Sequence, residues 1–374
     1  MIKRLTDLKD IKRLLGIFPV VALLGPRQCG KSTLASLISA QHRFDLEKPQ
    51  DLVQLDNPQL FFDDLKGLVV IDEVQRKKDL FPFLRYTVDH RKGLRFFLLG
   101  SASRDLIANA SESLAGRIGY YELGGFCLDD IPLKNSDRLW LQGGLPLAFI
   151  YSADKSFIWR ENYVRSFLER DIPQLGFRIP TETLRRFWIM LAHYHGQILN
   201  TSELARSFGV SDTAIRHYLS ILSETFMIRL LPSWHINAGK RVIKSPKIYF
   251  KDSGLLHYFL NISTKTSLKT HPKLGASFEG FAIEMWVRHH RIPHEEVFFW
   301  GAHSGAELDL FYRKKGKNFG VEVKYADAPR TTPSMRSAIK ELKLSHLWVV
   351  YPGKEIYKLD KHITVIPVTE IGNT

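Results

Sequence analysis

One segment constrains the fold of this chain more than any other. It reads Gly25-Pro26-Arg27-Gln28-Cys29-Gly30-Lys31-Ser32-Thr33. A glycine, four residues and Gly-Lys-Ser is the spacing of a phosphate-binding loop. The apolar run 18–24 before it predicts a buried strand, and residues 33–40 after it predict a helix. Backbone N–H groups at such a helix start surround phosphate oxygens. We therefore predict that this segment binds ATP, with Lys31 reaching the β- and γ-phosphates and Ser32 binding Mg²⁺.

An acidic pair and a polar strand end supply what hydrolysis needs beyond binding. Asp72 and Glu73 close the apolar run 68–71, which predicts a central strand. We predict that Asp72 holds the metal together with Ser32 and that Glu73 polarises the attacking water. Ser101, after the next strand, is the predicted sensor of the γ-phosphate, with Ser103 as the alternative. All these strands should end at one edge of a parallel sheet, where ligands bind.

A cation near the γ-phosphate is the remaining requirement for phosphoryl transfer. Arg117 is the favoured candidate, because Ala115 and Gly116 before it allow a close approach. Arg104, Arg165 and Arg170 are the alternatives. The sequence does not decide whether this arginine acts on its own subunit or on a neighbour in a homo-oligomer.

Length and composition set the class of protein. Five short apolar runs near 18–24, 43–46, 68–72, 95–100 and 119–123, with helices between them, predict a doubly wound α/β domain of about 150 residues. The 374 residues leave room for one or two further domains. Two cysteines, Cys29 and Cys127, cannot form a disulfide framework or a zinc site, so we expect a cytoplasmic protein. No apolar run approaches 18 residues, so no membrane partner is expected.

The positive charge is concentrated in the middle of the chain. The net charge is +14, and residues 151–270 carry 17 Lys and Arg against 9 Asp and Glu, which gives +8. Residues 201–222 read as a short helix, a glycine turn and a Ser-capped second helix, and two strands, 227–234 and 247–250, follow. This pattern predicts a winged helix that contacts DNA through Arg216 and His217 on the second helix and Lys240 and Arg241 in the wing. The side chains predicted to pack inward are Leu204, Ala205, Val210, Ile215, Leu219 and Leu222.

A charged hairpin marks the last third. Residues 305–312 and 319–324 alternate as strands around the charged loop 313–318. The alternation puts Leu308, Leu310, Val321 and Val323 on one face and Asp309, Glu322 and Lys324 on the other. Two carboxylates that bind a metal ion and a lysine that activates water are what phosphodiester cleavage requires. We predict a nuclease-like site there, with Asp309 and Glu322 as metal ligands and Glu279, on the preceding helix, as a further ligand.

Together these segments resemble the bacterial and archaeal AAA-type ATPases that carry a C-terminal domain of unknown function with a restriction-endonuclease-like core. The resemblance covers nearly the whole chain. Its motifs are Gly25-Pro-Arg-Gln-Cys-Gly-Lys-Ser32, Val70-Ile-Asp-Glu-Val-Gln-Arg76, Gly100-Ser-Ala-Ser103, Ser113-Leu-Ala-Gly-Arg117, Gly143-Gly144-Leu-Pro146, Arg170-Asp171, Glu307-x-Asp309 and Glu322-Val-Lys324. One mild departure is Cys29, where the family more often has valine or another small residue.

The resemblance implies three domains: an AAA-type P-loop domain over residues 1–150, a helical lid with a winged helix over 151–265, and a restriction-endonuclease-like α/β domain over 266–374. The expected function is a Mg²⁺-dependent ATPase that binds duplex or branched DNA through its last two domains and couples hydrolysis to DNA processing. Two alternatives stay open. One is an oligomeric translocase or branch-migration motor that uses the nuclease fold only to grip DNA. The other is an ATP-dependent switch or assembly factor that binds a protein partner.

Overall fold

The computed structural model describes residues 2–77, 79–101, 114–234, 245–302 and 305–374. Five residues named in the sequence analysis, Ser103, Arg104, Ser113, Lys240 and Arg241, lie outside these ranges. The chain forms two compact units. Unit 1 consists of Met1–Phe126, Asp171–Phe177 and Ser220–Met227, and unit 2 consists of Cys127–Arg170, Arg178–Leu219 and Ile228–Thr374.

The regular elements of the described residues are numbered in chain order. The helices are α1 Leu5–Ile17, α2 Lys31–Ser36, α3 Pro49–Gln54, α4 Pro58–Asp63, α5 Leu80–His90, α6 Ser136–Gln142, α7 Pro146–Ile150, α8 Ala153–Ser166, α9 Ile172–Gln174, α10 Thr181–His193, α11 Thr201–Phe208, α12 Asp212–Glu224, α13 Ser253–Phe259, α14 Lys265–Thr270, α15 Leu274–His290 and α16 Pro333–Leu342. The strands are β1 Val20–Leu24, β2 His42–Asp45, β3 Gly67–Asp72, β4 Leu94–Gly100, β5 Ile118–Glu122, β6 Ile228–Leu231, β7 Lys247–Phe250, β8 Val297–Gly301, β9 Glu307–Lys314, β10 Lys317–Val323, β11 His346–Tyr351, β12 Tyr357–Asp360 and β13 Ile363–Pro367. None of these helices combines the length and the apolar composition that a membrane span requires.

Unit 1 is built on a five-stranded parallel sheet in the order β2-β3-β4-β1-β5. The interior strand β1 is buried along its whole length, which is why the segment is continuously apolar. The predicted α/β fold with a parallel P-loop sheet is confirmed, and each predicted strand lies within two residues of its observed position. The helix after the phosphate loop differs from the prediction of 33–40, because α2 begins at Lys31 and ends at Ser36.

The middle of the chain contains two consecutive helices and a two-stranded antiparallel sheet. Helix α11 is capped by the side chain of Asn200 and ends at Gly209, whose φ of 68° is left-handed. Helix α12 follows, and β6 then pairs with β7. On α12, Ile215 and Leu219 are buried whereas Arg216 and His217 are exposed. The order and the exposed face agree with the predicted pattern.

The C-terminal part of unit 2 is a six-stranded mixed sheet in the order β12-β13-β11-β10-β9-β8. Both hairpin strands extend into the expected loop 313–318, since a two-residue turn, Lys315-Gly316 with φ of 50° and 73°, connects β9 to β10. Two charged side chains of the hairpin are also buried. Asp309 and Glu322 are only 6% and 4% exposed, beside the fully buried Leu308.

Candidate functional site

The phosphate loop joins the end of β1 to the start of α2 in unit 1. Two of its glycines are required by the backbone. A Cβ atom on Gly25 would lie 2.0 Å from the carbonyl oxygen of Leu123, so no side chain fits there. Gly30 has a φ of 98°, which few other residues adopt. The loop therefore places its N–H groups around the N-terminus of α2, as phosphate binding requires.

A buried arginine holds the backbone of this loop by hydrogen bonds. Arg4, just before α1, is 5% exposed and donates hydrogen bonds to the carbonyl oxygens of Cys29 at 3.2 Å, Gly124 at 2.9 Å and Gly125 at 3.1 Å. Asp7 accepts a fourth bond from it at 2.7 Å. The sequence analysis missed Arg4, because a single arginine near the start of an amphipathic helix carries no signal of burial.

The loop lysine is held by neutral partners. Lys31 is 6% exposed, and its Nζ donates to the carbonyl oxygens of Gly25 and Pro26, both at 3.0 Å. A charged phosphate oxygen is a stronger acceptor for an ammonium group than a neutral carbonyl oxygen. The lysine therefore lies where anionic oxygens can replace its present partners.

The two predicted oxygen ligands of Mg²⁺ meet at the end of β3. Ser32 Oγ donates to Asp72 Oδ2 at 2.5 Å, and the backbone N–H of Glu73 donates to Asp72 Oδ1 at 2.9 Å. A hydroxyl and a carboxylate side by side are the donor set that Mg²⁺ uses beside nucleotide phosphates, so these residues fit the ion.

The predicted water-polarising carboxylate adjoins this pair. Glu73 adopts φ 56°, a left-handed conformation that is uncommon for a non-glycine residue and marks functional turns. Burial raises the pKa of Glu73 above its ordinary value, while Lys31 opposes the rise. The turn thus sets a partly desolvated carboxylate beside Asp72, where it can act as a base.

Gln75 connects two predicted catalytic residues and was missed by the sequence analysis. Its Nε2 donates to Glu73 Oε2 and to Ser101 Oγ, the latter at 2.9 Å. Val74–Arg76 forms a short 3₁₀ helix that turns the side chain back over Glu73. Gln75 directly follows the Asp-Glu-Val segment in the sequence. Only the fold, however, brings it close to Ser101, which directly follows the neighbouring strand β4.

The favoured arginine lies at the opposite edge of the sheet. The backbone oxygen of Arg117 accepts from Val20 N, at the first residue of β1, whereas the phosphate loop follows the last residue. Five residues of strand separate these edges by about 16 Å. The guanidinium forms two hydrogen bonds to Asp89, at 2.6 and 3.0 Å. Arg117 therefore lies too far from the phosphate loop of its own subunit to contact a nucleotide bound there.

Other arginines have different surroundings. Arg27 in the phosphate loop forms ion pairs with Asp171 and, at 3.4 Å, with Glu47. The alternatives Arg165 and Arg170 are exposed residues of unit 2.

A second cluster of charges lies in unit 2, and a buried lysine is at its centre. Lys247, the first residue of β7, is 3% exposed. Its Nζ contacts Glu307 directly and lies 3.4 Å from Glu279 Oε1 and 3.6 Å from Asp309 Oδ1. Burial alone would lower the pKa of Lys247, but the surrounding acidic groups, Tyr249 first among them, hold it well above its ordinary value. Lys247 therefore favours its protonated, positively charged form.

The rest of the predicted nuclease-like group adjoins this cluster. Asp309 Oδ2 accepts from the N–H of Val323 at 2.8 Å, and Lys324 Nζ lies 2.7 Å from Glu322 Oε1. Glu322 Oε2 is buried without a hydrogen-bond partner in the described residues. Burial, reinforced by the charge of Asp309, raises the pKa of Glu322. Within the described ranges, no group of three or more His, Cys, Asp or Glu side chains is arranged to hold a metal ion.

Comparison with solved structures finds distant likenesses. A Walker-type ATPase of Pyrococcus abyssi shares 15% identity, with 70% of this chain and 96% of that chain covered and a TM-score of 0.44. A signal-transduction ATPase with a tetratricopeptide repeat sensor from Pyrococcus horikoshii shares 11% identity over 76% of this chain and 48% of that one, with a TM-score of 0.29.

Comparison of sequences is decisive for the family. Uncharacterized proteins of Mycobacterium tuberculosis and Mycobacterium bovis are 44% identical over 379 aligned positions, covering 100% of this chain and 86% of each relative. Residues 18–131 match the family described as AAA domain, and residues 274–371 match a domain of unknown function (DUF4143). The chain belongs to this family of AAA-type ATPases.

The predicted resemblance is thus confirmed for the ATPase domain and the C-terminal domain of unknown function. Residues 133–266 of this AAA-type ATPase match another domain of unknown function (DUF8612). The P-loop geometry described above lies within the matched AAA segment, which makes nucleotide binding the family property that the site geometry supports.

Proposed function

We propose that this AAA-type ATPase hydrolyses ATP with Mg²⁺ and uses the reaction to act on DNA through unit 2. The observation that carries the catalytic half is the position of Asp72, whose carboxylate accepts from Ser32 on one oxygen and from the N–H of Glu73 on the other. Metal ligand and base are then fixed to one strand end.

Each residue of this site has a distinct role in the proposal. The N–H groups of the 25–33 loop and the ammonium of Lys31 bind the phosphates. Mg²⁺, held by Ser32 and Asp72, would neutralise charge on the phosphate oxygens. Glu73 orients and deprotonates water, and Ser101 contacts the γ-phosphate. Rates of ATP hydrolysis with Mg²⁺ and with EDTA test the whole assignment, and hydrolysis that persists in EDTA would overturn it.

Charge and exposure in unit 2 support DNA as the partner. Arg216 and His217 are exposed on α12, and the β6–β7 pair follows this helix as the wing follows the recognition helix in winged-helix proteins. The excess of +8 over residues 151–270 favours a polyanion at this part of the chain. A protein partner, as in the switch alternative, would not require this concentration of charge.

Binding measured against salt concentration distinguishes these partners. On duplex DNA the logarithm of affinity should fall with the logarithm of salt concentration by about 0.9 for each phosphate neutralised. Arg216→Ala with Lys240→Ala should weaken binding to every sequence. Lys354→Ala with Lys358→Ala makes the same change in charge at exposed positions near β12 and serves as the control. Absence of binding at low salt would favour the switch, and stimulation of ATPase by branched DNA alone would favour the motor.

The acidic cluster of unit 2 suggests a second candidate function, metal-dependent DNA cleavage, but in a silenced form. Asp309, Glu322 and Lys324 are close together, and among the described residues Glu322 Oε2 has no hydrogen-bond partner. Lys247, however, already contacts Glu307 and lies within 3.6 Å of Glu279 and Asp309. A cation fixed among these carboxylates competes with a divalent ion for the same oxygens. We therefore propose that this site does not cut DNA unless Lys247 withdraws.

Nicking of plasmid and branched DNA in Mg²⁺ and Mn²⁺ tests this silencing. Wild type should not cut, whereas Lys247→Met should cut in a manner that Asp309→Asn abolishes. Lys317→Met, at an exposed position of the same hairpin, is the control. Because loss of a buried ion-pair partner can cost about 3–5 kcal/mol, folding of Lys247→Met is checked by its melting temperature with and without Mn²⁺. Cutting by wild type as fast as by Lys247→Met would overturn the proposal.

A further inference from the structure

Gln75 contributes two hydrogens, and both are used within the nucleotide site. One N–H of its amide points at Glu73 Oε2 and the other at Ser101 Oγ. An ionised carboxylate can only accept, so the amide must present nitrogen, not oxygen, to Glu73. Chemistry therefore fixes the orientation of the amide. The same orientation leaves Gln75 Oε1 buried without a partner in the described residues, a cost that the two donated bonds must offset.

This orientation determines what the two neighbours can still do. Ser101 Oγ accepts from Gln75, so its single hydrogen remains available to an acceptor such as a phosphate oxygen. Glu73 has one oxygen bound to Gln75, and its other oxygen can accept a proton from water. The amide of Gln75 thus orients the hydroxyl hydrogen of Ser101 as a donor and the second carboxylate oxygen of Glu73 as an acceptor.

We propose that Gln75 is a positioning residue that couples contact of Ser101 with the γ-phosphate to the orientation of Glu73 for water attack. This inference rests on ATP hydrolysis at the 25–33 loop. Glu73 directly follows β3, and Ser101 directly follows β4. These two strands are adjacent and parallel. A group that bridges their ends can transmit a displacement of one residue directly to the other. Misplacement of a reacting group by about 1 Å can reduce a rate on the order of 10²-fold.

The test separates positioning from binding and from folding. Gln75→Ala should lower kcat by about 10- to 100-fold while the dissociation constant of a fluorescent ATP analogue changes less than about twofold, because Gln75 acts only in turnover. Gln75→Glu keeps the size of the side chain but lacks both N–H donors, so its kcat should be at least as low. Gln41→Ala is the matched control, since Gln41 accepts a hydrogen bond from Leu68 N at the other end of β3.

Coupling is measured by combining Gln75→Ala with Ser101→Ala. If the amide links the two residues, the double variant should be barely slower than the slower single variant. Multiplication of the two single effects would overturn the coupling, and a wild-type kcat in Gln75→Ala would overturn the positioning role. Failure of the ATPase assignment is distinguishable, because wild type itself would then show no Mg²⁺-dependent hydrolysis that Lys31→Ala removes.

Discussion

The two charged sites of this chain both contain a buried lysine, but the partners of the lysine differ. In unit 1, Lys31 donates to two neutral carbonyl oxygens. In unit 2, Lys247 lies among three carboxylates. Exchange of a carbonyl oxygen for a phosphate oxygen strengthens the bonds of Lys31, whereas withdrawal of Lys247 leaves buried negative charge uncompensated. One site is therefore arranged to receive an anionic ligand, and the other already holds a cation of the chain itself.

This difference shows why carboxylates and lysines in a pattern do not by themselves define a catalytic site. Asp72 and Asp309 each follow the expected motif, and each accepts a backbone N–H. Of the two, Asp72 lies beside a hydroxyl that suits Mg²⁺, whereas Asp309 lies 3.6 Å from the ammonium group of Lys247. The positions of neighbouring cations decide which of the two acidic sites can act.

The largest effect is expected at Lys31, whose carbonyl partners a phosphate can replace. Lys31→Ala should abolish ATP binding and reduce turnover to background, because the phosphates lose their buried cation. Equilibrium binding of a fluorescent ATP analogue and phosphate release measure the two effects. Lys92→Ala, at an exposed position of unit 1, should behave as wild type. Binding of normal affinity by Lys31→Ala would remove the basis of the comparison.

A third cation, Arg117, extends the comparison to a neighbouring copy. Its distance from the phosphate loop of its own subunit leaves only an action in trans. Arg117→Ala should then lower turnover on the order of 10³-fold without loss of ATP affinity, as for arginine fingers. Turnover per subunit of wild type should also fall on dilution. Asp89→Asn keeps the arginine and serves as the control. Wild-type turnover by Arg117→Ala would turn attention to Arg165 or Arg170.

Substitution of Glu73, the proposed base of unit 1, should have the next largest effect. Glu73→Gln should retain ATP binding and lose turnover by about 10²- to 10³-fold, since only the proton acceptor is removed. Phosphate release under saturating ATP measures the loss. The corresponding substitution in unit 2, Glu279→Gln, should leave ATP turnover unchanged. A wild-type rate for Glu73→Gln would refute the role given to this carboxylate.

The sequence predicted those parts of the molecule that are local in the chain. The phosphate loop, the strand ends at Asp72 and Ser101 and the two helices around Gly209 are patterns within a few residues, and the fold has them in place. Lys247 could not be recognised, because it begins a predicted strand of the wing directly after a basic stretch, where a further lysine carries no signal of burial. Its burial depends on the pairing of β7 and on side chains 32 to 62 positions further along. Gln75 lies within a recognised motif, but its contact with Ser101 could not be predicted, because Ser101 follows a different strand.

The smallest expected effect concerns the interior of unit 2, which contains two buried neutral histidines. His195 accepts from Phe250 N at 3.0 Å, and His257 lies 2.7 Å from Ser277 Oγ. Burial lowers the pKa of His195 to about 3 and that of His257 to about 4. Because the unfolded histidines bind protons below about pH 6.5, each histidine should contribute a fall of roughly 1.4 kcal/mol per pH unit to the free energy of unfolding as the pH drops from 6.5 towards 4.5. Glu279 and Glu322, whose pKa values burial raises, oppose this fall, so the contribution of a histidine is read from the difference between wild type and its variant.

Tryptophan fluorescence can follow this loss selectively. All 7 tryptophans of the chain lie in the ranges of unit 2, so denaturant titrations at several pH values report on that unit. His257→Gln should reduce the pH dependence, whereas His193→Gln, at an exposed position, should not. An equal pH dependence of wild type and His257→Gln between pH 6.5 and 4.5 would show that protonation of His257 is not linked to the stability of unit 2.

Titration of Mn²⁺ by calorimetry, in the absence of nucleotide, tests most directly whether Lys247 holds the place of a metal ion. The proteins are wild type, Asp309→Asn, Lys247→Met and Lys247→Met with Asp309→Asn, each as the full chain. The account predicts no Asp309-dependent binding of Mn²⁺ by wild type, one such site in Lys247→Met and its loss in the double variant. Binding of Mn²⁺ by wild type that depends on Asp309 and is as tight as in Lys247→Met would contradict it.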